Sequence, residues 1–352
     1  MYQEVHRKRS YRSRFIKQDT PNGDSQHPKK CAFASLVDAP RYALDTVIET
    51  TAPEYKEQEM PLVYACVAPH GFPIIPDLSD NADGGLATRE AMFELGCRCQ
   101  AHEPEVIVIA TPHGFRVENM ITLAAVARGA GTLHWGGRTL EMNIPVDLNL
   151  TDQIAEDARV RNIPIAMAGF AGNRRDQSVI PLDWGVITPL WFVGKQQNMV
   201  GMGHVLAHIF ENPEFDETVP PVVIASPERS LPRSTMVEFG KAIAEAAERD
   251  TRRIAFIASC DWAHTHKTTP AHDAHPDAPV VDQMVVDALR ENDPGRLIDL
   301  PDEKVRNAAI DGLWQTLMLA GAMELVPMSG EVLSYEAPAY YGMIVASFER
   351  VP

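Results

Sequence analysis

The sequence predicts an α/β protein: a single large domain with a central, mostly parallel (mixed) sheet flanked by helices on both faces. Three observations carry this. The runs Leu62-Val63-Tyr64-Ala65-Cys66-Val67 and Val106-Ile107-Val108-Ile109-Ala110 are apolar and rich in β-branched residues, as parallel strands buried on both faces are. Segments with helical spacing alternate with such runs, the pattern that yields a mostly parallel sheet. Both runs also end in the same phrase, Ala68-Pro69-His70-Gly71-Phe72 and Thr111-Pro112-His113-Gly114-Phe115. In an open α/β sheet the carboxyl ends of parallel strands line the edge where ligands bind. His70 and His113, far apart along the chain, can therefore face one point there, and two imidazoles so placed suggest a metal.

At 352 residues the chain can bury a large core. The formal charge of −16 is unevenly placed, because residues 1–30 are net basic and leave −21 on the remainder. An acidic body argues against nucleic acid and anionic membrane as partners. The five cysteines are an odd number without disulfide-framework spacing, and no apolar leader opens the chain. A reducing, cytoplasmic setting is expected. No apolar run reaches the 18 residues of a membrane span. Cys97-Arg98-Cys99 lies in a helical stretch where i and i+2 diverge, so it is not read as a ligand pair.

In chain order, residues 1–59 lack sustained periodicity and begin with the basic run Arg7-Lys8-Arg9-Ser10-Tyr11-Arg12-Ser13-Arg14; they are read as an N-terminal extension, with 60–352 the catalytic domain. Strand 62–68 leads through a Pro/Asp/Asn-rich loop to a helix over 88–101, with Met92, Leu95, Gly96 and Cys99 on one face. Strand 105–110 follows, then apolar segments at 120–127 and 131–135, helix 151–161 and strand 163–168. Pro181-Leu182-Asp183-Trp184-Gly185 opens a segment returning to the core. Strand 221–226 precedes helix 234–249, for which Ser234 or Thr235 is the expected N-cap. Strand 254–259 ends in Cys260-Asp261-Trp262-Ala263-His264-Thr265-His266, the third strand end bearing histidine. Residues 267–279 read as a loop in which His272 and His275 are solvated. Helices near 280–291 and 302–322 follow, and strands 331–335 and 341–348 close the domain around Tyr335-Glu336-Ala337-Pro338.

Strand-end Pro-His-Gly twice, then Ser259-x-Asp261-x-x-His264, then Tyr335-Glu336-x-Pro338 before a last apolar strand, resemble the class III extradiol ring-cleavage dioxygenases, the superfamily of the protocatechuate 4,5-dioxygenase β subunit. The resemblance runs from about Met60 to Phe348. It implies an Fe(II) site held by His70, His113 and Glu336, a 2-His-1-carboxylate triad that leaves one face of the octahedron open for a catechol or aminophenol and O₂. It also implies that His264 is the acid and base of the reaction, since an imidazole of near-neutral pKa can pass a proton in both directions. Asp261 is expected to orient the turn or His264 by hydrogen bonding. His266 lies beyond the motif.

One departure stands out. Many family members carry Asp-His-Gly where this chain has Asp183-Trp184-Gly185. An indole can donate a hydrogen bond or stack but cannot exchange a proton at neutral pH, so Trp184 is read as shaping the substrate pocket with Pro338. Arg174 and Arg175 are read as exposed loop residues rather than a clamp for a substrate carboxylate. Two other classes compete with the dioxygenase: a Memo-like metal-pocket protein without ring-cleavage activity, and a divalent-metal hydrolase. A homo-oligomer is expected, with a small partner subunit the alternative way of closing the site.

Overall fold

The computed structural model describes residues 61–80, 84–194 and 220–351. The N-terminal extension read at 1–59 lies outside them. The chain forms β1 (Leu62–Ala68), α1 (Leu86–Ala101), β2 (Val106–Ala110), β3 (Ile121–Ala124), β4 (Arg128–Trp135), β5 (Arg138–Pro145), α2 (Leu148–Val160), β6 (Ile165–Ala168), β7 (Val179–Pro181), α3 (Trp184–Val193) and β8 (Val222–Ser226). Then come α4 (Arg233–Glu248), β9 (Ile254–Ser259), α5 (Asp277–Arg290), α6 (Asp302–Asn307), α7 (Leu313–Leu325), β10 (Met328–Glu336) and β11 (Met343–Arg350).

An eight-stranded sheet runs in the order β10-β11-β1-β9-β2-β8-β3-β6. Its middle is parallel, β1 with β9, β9 with β2 and β2 with β8. Antiparallel pairings join β11 to β1, β10 to β11 and β3 to β8, so the sheet is mixed. Along β2, Val106, Val108 and Ala110 enter one hydrophobic cluster and Ile107 and Ile109 the other. β9 divides likewise, with Ile254, Phe256 and Ala258 on one face and Ala255 and Ile257 on the other. Burial on both faces is why these strands read as unbroken apolar runs.

The first cluster packs the sheet against α2, α4, α5 and α7, and the second against α1 and α3. The second also takes in a three-stranded sheet, β5-β4-β7. Its β4-β5 hairpin turns at Gly136 and Gly137, with φ of 56° and 78°, the two positive values that a tight two-residue hairpin demands. That turn leaves Trp135 at the hairpin tip, 41% exposed.

Two expectations change. α4 begins at Arg233 after Pro232, so Ser234 and Thr235 fall inside its first turn and neither caps it. The helix expected over 302–322 is two helices, α6 and α7. Between them Ala309 takes a positive φ of 47°, a conformation that ends a right-handed helix, and the chain turns through Ile310-Asp311-Gly312. That interruption carries the acid of the site.

Candidate metal centre

β9 lies between β1 and β2, so the residues that follow these three strands share one stretch of sheet edge. His70 follows β1, His113 follows β2, and Asp261 and His264 follow β9. Asp311 reaches the same point from the turn before α7. There the backbone is tightly seated: a Cβ on Gly312 would lie 2.6 Å from Cβ of Cys260 and 3.0 Å from the Asp261 carbonyl oxygen.

His70 Nε2 and His113 Nε2 are 3.1 Å apart. Oδ2 of Asp311 stands 3.1 Å from the first and 3.3 Å from the second. Ligand atoms about 2.1 Å from one ion and at right angles to each other are separated by about 3.0 Å, and by about 3.4 Å at tetrahedral angles. The observed triangle falls in this interval. Oδ2 is buried and makes no well-directed hydrogen bond, an arrangement that costs about 1–3 kcal/mol when nothing else satisfies the group. Two nitrogens and an orphaned carboxylate oxygen fit a divalent cation.

The surroundings prepare each ligand. Ser259 Oγ donates to the Gly185 carbonyl at 2.5 Å, so its lone pairs face His70 Nδ1, 3.0 Å away. His70 therefore carries its proton on Nδ1 and leaves Nε2 free to bind a metal. The His70 carbonyl accepts from Thr188 Oγ1, and its backbone N–H donates to Asp261 Oδ1. Arg229 pairs with Oδ1 of Asp311 while its guanidinium lies 4.9 Å over the Trp314 ring. That contact occupies one carboxylate oxygen and leaves the other for the metal.

His113 stacks on Trp184, with centroids 4.3 Å apart. Trp184 is held in turn by Asp183, which caps α3 through the Gly185 N–H and accepts from Thr111 Oγ1 at 2.9 Å. A Cβ on Gly185 would sit 2.4 Å from Thr111 Oγ1, so only glycine lets α3 approach the β2 end this closely.

Negative charge dominates this pocket. Burial works against a protonated His70, but the Asp261 and Asp311 carboxylates outweigh it and push the imidazole up to about 9. Burial alone would raise Asp311, yet its close approach to the His113 and His70 imidazoles, with the charge of Arg229, holds it well below the usual carboxylate range. Asp261 moves the other way, raised by burial. A field that favours a proton on His70 also favours a cation bound beside it.

His264 sits beside this group. Its Nδ1 donates to the Trp262 carbonyl at 2.7 Å, leaving Nε2 as the basic nitrogen. Its ring stacks on Tyr341 at 5.8 Å and faces Tyr340 at the same distance. Asp282, fully buried, accepts from the Ala263 N–H, His266 and Tyr335, which pins the His264 turn to α5 and β10.

The structure brings His70, His113, Asp261 and His264 together but leaves Glu336 outside. Its Oε2 accepts from the Thr88 backbone N–H at 2.7 Å and from Thr88 Oγ1 at 2.8 Å. It thus supplies the cap that Gly85 cannot give α1. β11 separates β10 from β1, which puts the two strands about 10 Å apart. The carboxylate that meets the imidazoles is Asp311, and its trace in the sequence was the turn-forming Asp311-Gly312 pair inside an otherwise helical run. Asp261 holds His70 rather than His264. Pro338 lines a cavity with Phe72 and Tyr341, whereas Trp184 is on the His113 side. Arg174 and Arg175 are exposed and paired with Asp176 and Asp152.

None of the described helices is long and apolar enough to cross a membrane. Protein CA_C1420 of Clostridium acetobutylicum is 23% identical over 283 residues, covering 80% of this chain and 56% of that protein. The chain thus spans about half the length of that curated relative. The crystal structure of the uncharacterized protein JW3007 from Escherichia coli K12 shares the fold, with a TM-score of 0.50 and 16% identity over 81% of this chain and 99% of that one. The family model for the catalytic LigB subunit of aromatic ring-opening dioxygenase matches residues 64–346, a span that runs from β1 to β11 and holds the whole histidine–aspartate cluster. The chain belongs to that family of aromatic ring-opening dioxygenases.

Proposed function

We propose that this protein is a non-haem Fe(II)-dependent extradiol dioxygenase that opens the ring of a catechol or aminophenol. The observation that carries the reading is the triangle of His70 Nε2, His113 Nε2 and Asp311 Oδ2 at the edge of the sheet. Two neutral imidazoles and one carboxylate are the donor set of non-haem Fe(II) oxygenases. Bound there, ferrous iron would supply the redox chemistry, exchanging electrons between a chelated diol and O₂.

The protein's own part is binding and proton handling. His70, His113 and Asp311 would hold the metal, while Arg229 occupies the other oxygen of Asp311. His264 Nε2 takes the proton of the second hydroxyl and returns it as the O–O bond breaks. Tyr340, Tyr341 and Trp184 supply aromatic faces against which the ring is held. A ring C–C bond beside a hydroxyl-bearing carbon breaks, both atoms of O₂ enter the product, and no external reductant is consumed.

Anaerobic loading with Fe(II), followed by O₂ and a panel of catechols and 2-aminophenol, tests the reading. One O₂ taken up per ring opened, with a yellow ring-fission product from a catechol, supports it. No uptake with any member of the panel rejects it, and hydrolytic activity of the Zn²⁺-loaded protein would then identify a metal hydrolase.

A further inference from the structure

Beside the metal-binding triangle lies a cavity of about 340 Å³, lined by Phe72, Trp135, Pro338, Tyr340, Tyr341 and Met343 among others. It adjoins the site through the backbone. Phe72 is two residues beyond His70, and a Cβ on the intervening Gly71 would lie 2.5 Å from the Tyr341 hydroxyl. The candidate acid/base His264 stacks on Tyr341. The walls are two aromatic pairs set edge to face, Phe72 with Trp135 at 5.3 Å and Tyr340 with Tyr341 at 4.9 Å. A cavity of about 150 Å³ is enough for benzene, so this one has room for a ring and a substituent on it.

Among the described residues, the lining holds no charged side chain. The nearby Lys267 donates its ammonium to the Pro338 carbonyl at 2.5 Å. Arg174 and Arg175 belong to a different cavity, of about 620 Å³, which shares no lining residue with this one. A ring carboxylate placed among Phe72, Trp135 and Met343 would lose its water without gaining a partner, which costs several kcal/mol. An aryl group would gain both burial and edge-to-face contacts.

We propose that this cavity is the specificity pocket for an uncharged aryl substituent, so that the substrate is an aryl-substituted catechol rather than a ring carboxylate. The inference rests on the ring-opening reading. Trp135 is its determinant: the β4-β5 hairpin carries it in from the small sheet.

The test uses the full chain loaded with Fe(II). Under nitrogen, calorimetry with 3-phenylcatechol, catechol and protocatechuate measures binding without turnover; under air, kcat/KM is measured for the same compounds. The proposal expects 3-phenylcatechol to bind at least tenfold more tightly than either of the others and to show the highest kcat/KM. Trp135→Ala should remove most of that preference, and Trp135→Phe should restore part of it. Equal binding of the three diols, preferred binding of protocatechuate, or a preference unchanged in Trp135→Ala would overturn it. Should every diol bind but none be opened, the ring-opening reading fails, and the binding order still decides for or against the pocket.

Discussion

Two carboxylates compete for the role of metal ligand, and single substitutions separate them. Asp311 is buried with one orphaned oxygen against the two imidazoles, whereas Glu336 is spent on the start of α1. Asp311→Asn should reduce Fe(II) or Co(II) binding at least a hundredfold in an anaerobic titration. Glu336→Ala should leave metal stoichiometry intact and cost about 1–2 kcal/mol of stability, the usual loss for a helix cap, seen as a lower denaturation midpoint. Arg229 acts through Asp311, so Arg229→Met should weaken metal affinity about 10–100-fold, as loss of a partner behind a ligand does. Arg229→Lys should recover part of it, because an ammonium keeps the charge but not the planar fork. His264→Gln should lower kcat by about 10²–10⁴-fold while metal affinity holds. The histidines were legible because each sits in a repeated phrase after an apolar run. Asp311 was not, because one acid among Ala308-Ala309-Ile310 resembles any solvated helix position. The short Tyr335-Glu336-x-Pro338 word drew attention to a carboxylate that the structure places on Thr88 at the start of α1.

Among the elements, the break between α6 and α7 matters most to the site. Gly312 lets the turn lie against β9, with Cys260 Sγ reaching the Gly312 carbonyl at 3.4 Å. A Cβ there would strike Cys260, Asp261 and the Trp262 ring, none of which is free to retreat from the core. Gly312→Ala should therefore destabilise the protein by about 1–3 kcal/mol, as overpacking does, and weaken metal binding with it by moving Asp311. Chemical denaturation and a Co(II) titration on one preparation report both losses. The sequence predicted an unbroken helix here because Ile310, Leu313 and Leu317 keep helical spacing across the turn. Periodicity alone does not show where the axis changes direction. The central strands β2 and β9 were legible because their burial is continuous, and α1 because its burial is periodic, with Met92, Leu95, Gly96 and Cys99 on its inner face.

Over the whole molecule, the mixed α/β sheet with helices on both faces was legible, but the order of its strands was not. β9 comes late in the chain and inserts between β1 and β2. That insertion sets His70 and His113 on either side of Ser259 and Asp261, which lets one strand end orient the first histidine. β10 and β11 stand beyond β1, and that placement carries Glu336 out of ligand range while bringing Tyr340 and Tyr341 over His264. A local pattern cannot encode such an order, because it depends on which strands pair across more than a hundred residues. Strand order therefore decides which side chains can meet around the metal. The most direct measurement is an anomalous-scattering map at the iron edge from anaerobically loaded crystals. It should show one iron bound by His70 Nε2, His113 Nε2 and a single oxygen of Asp311; iron bound by Glu336, or no iron between the two histidines, would contradict it.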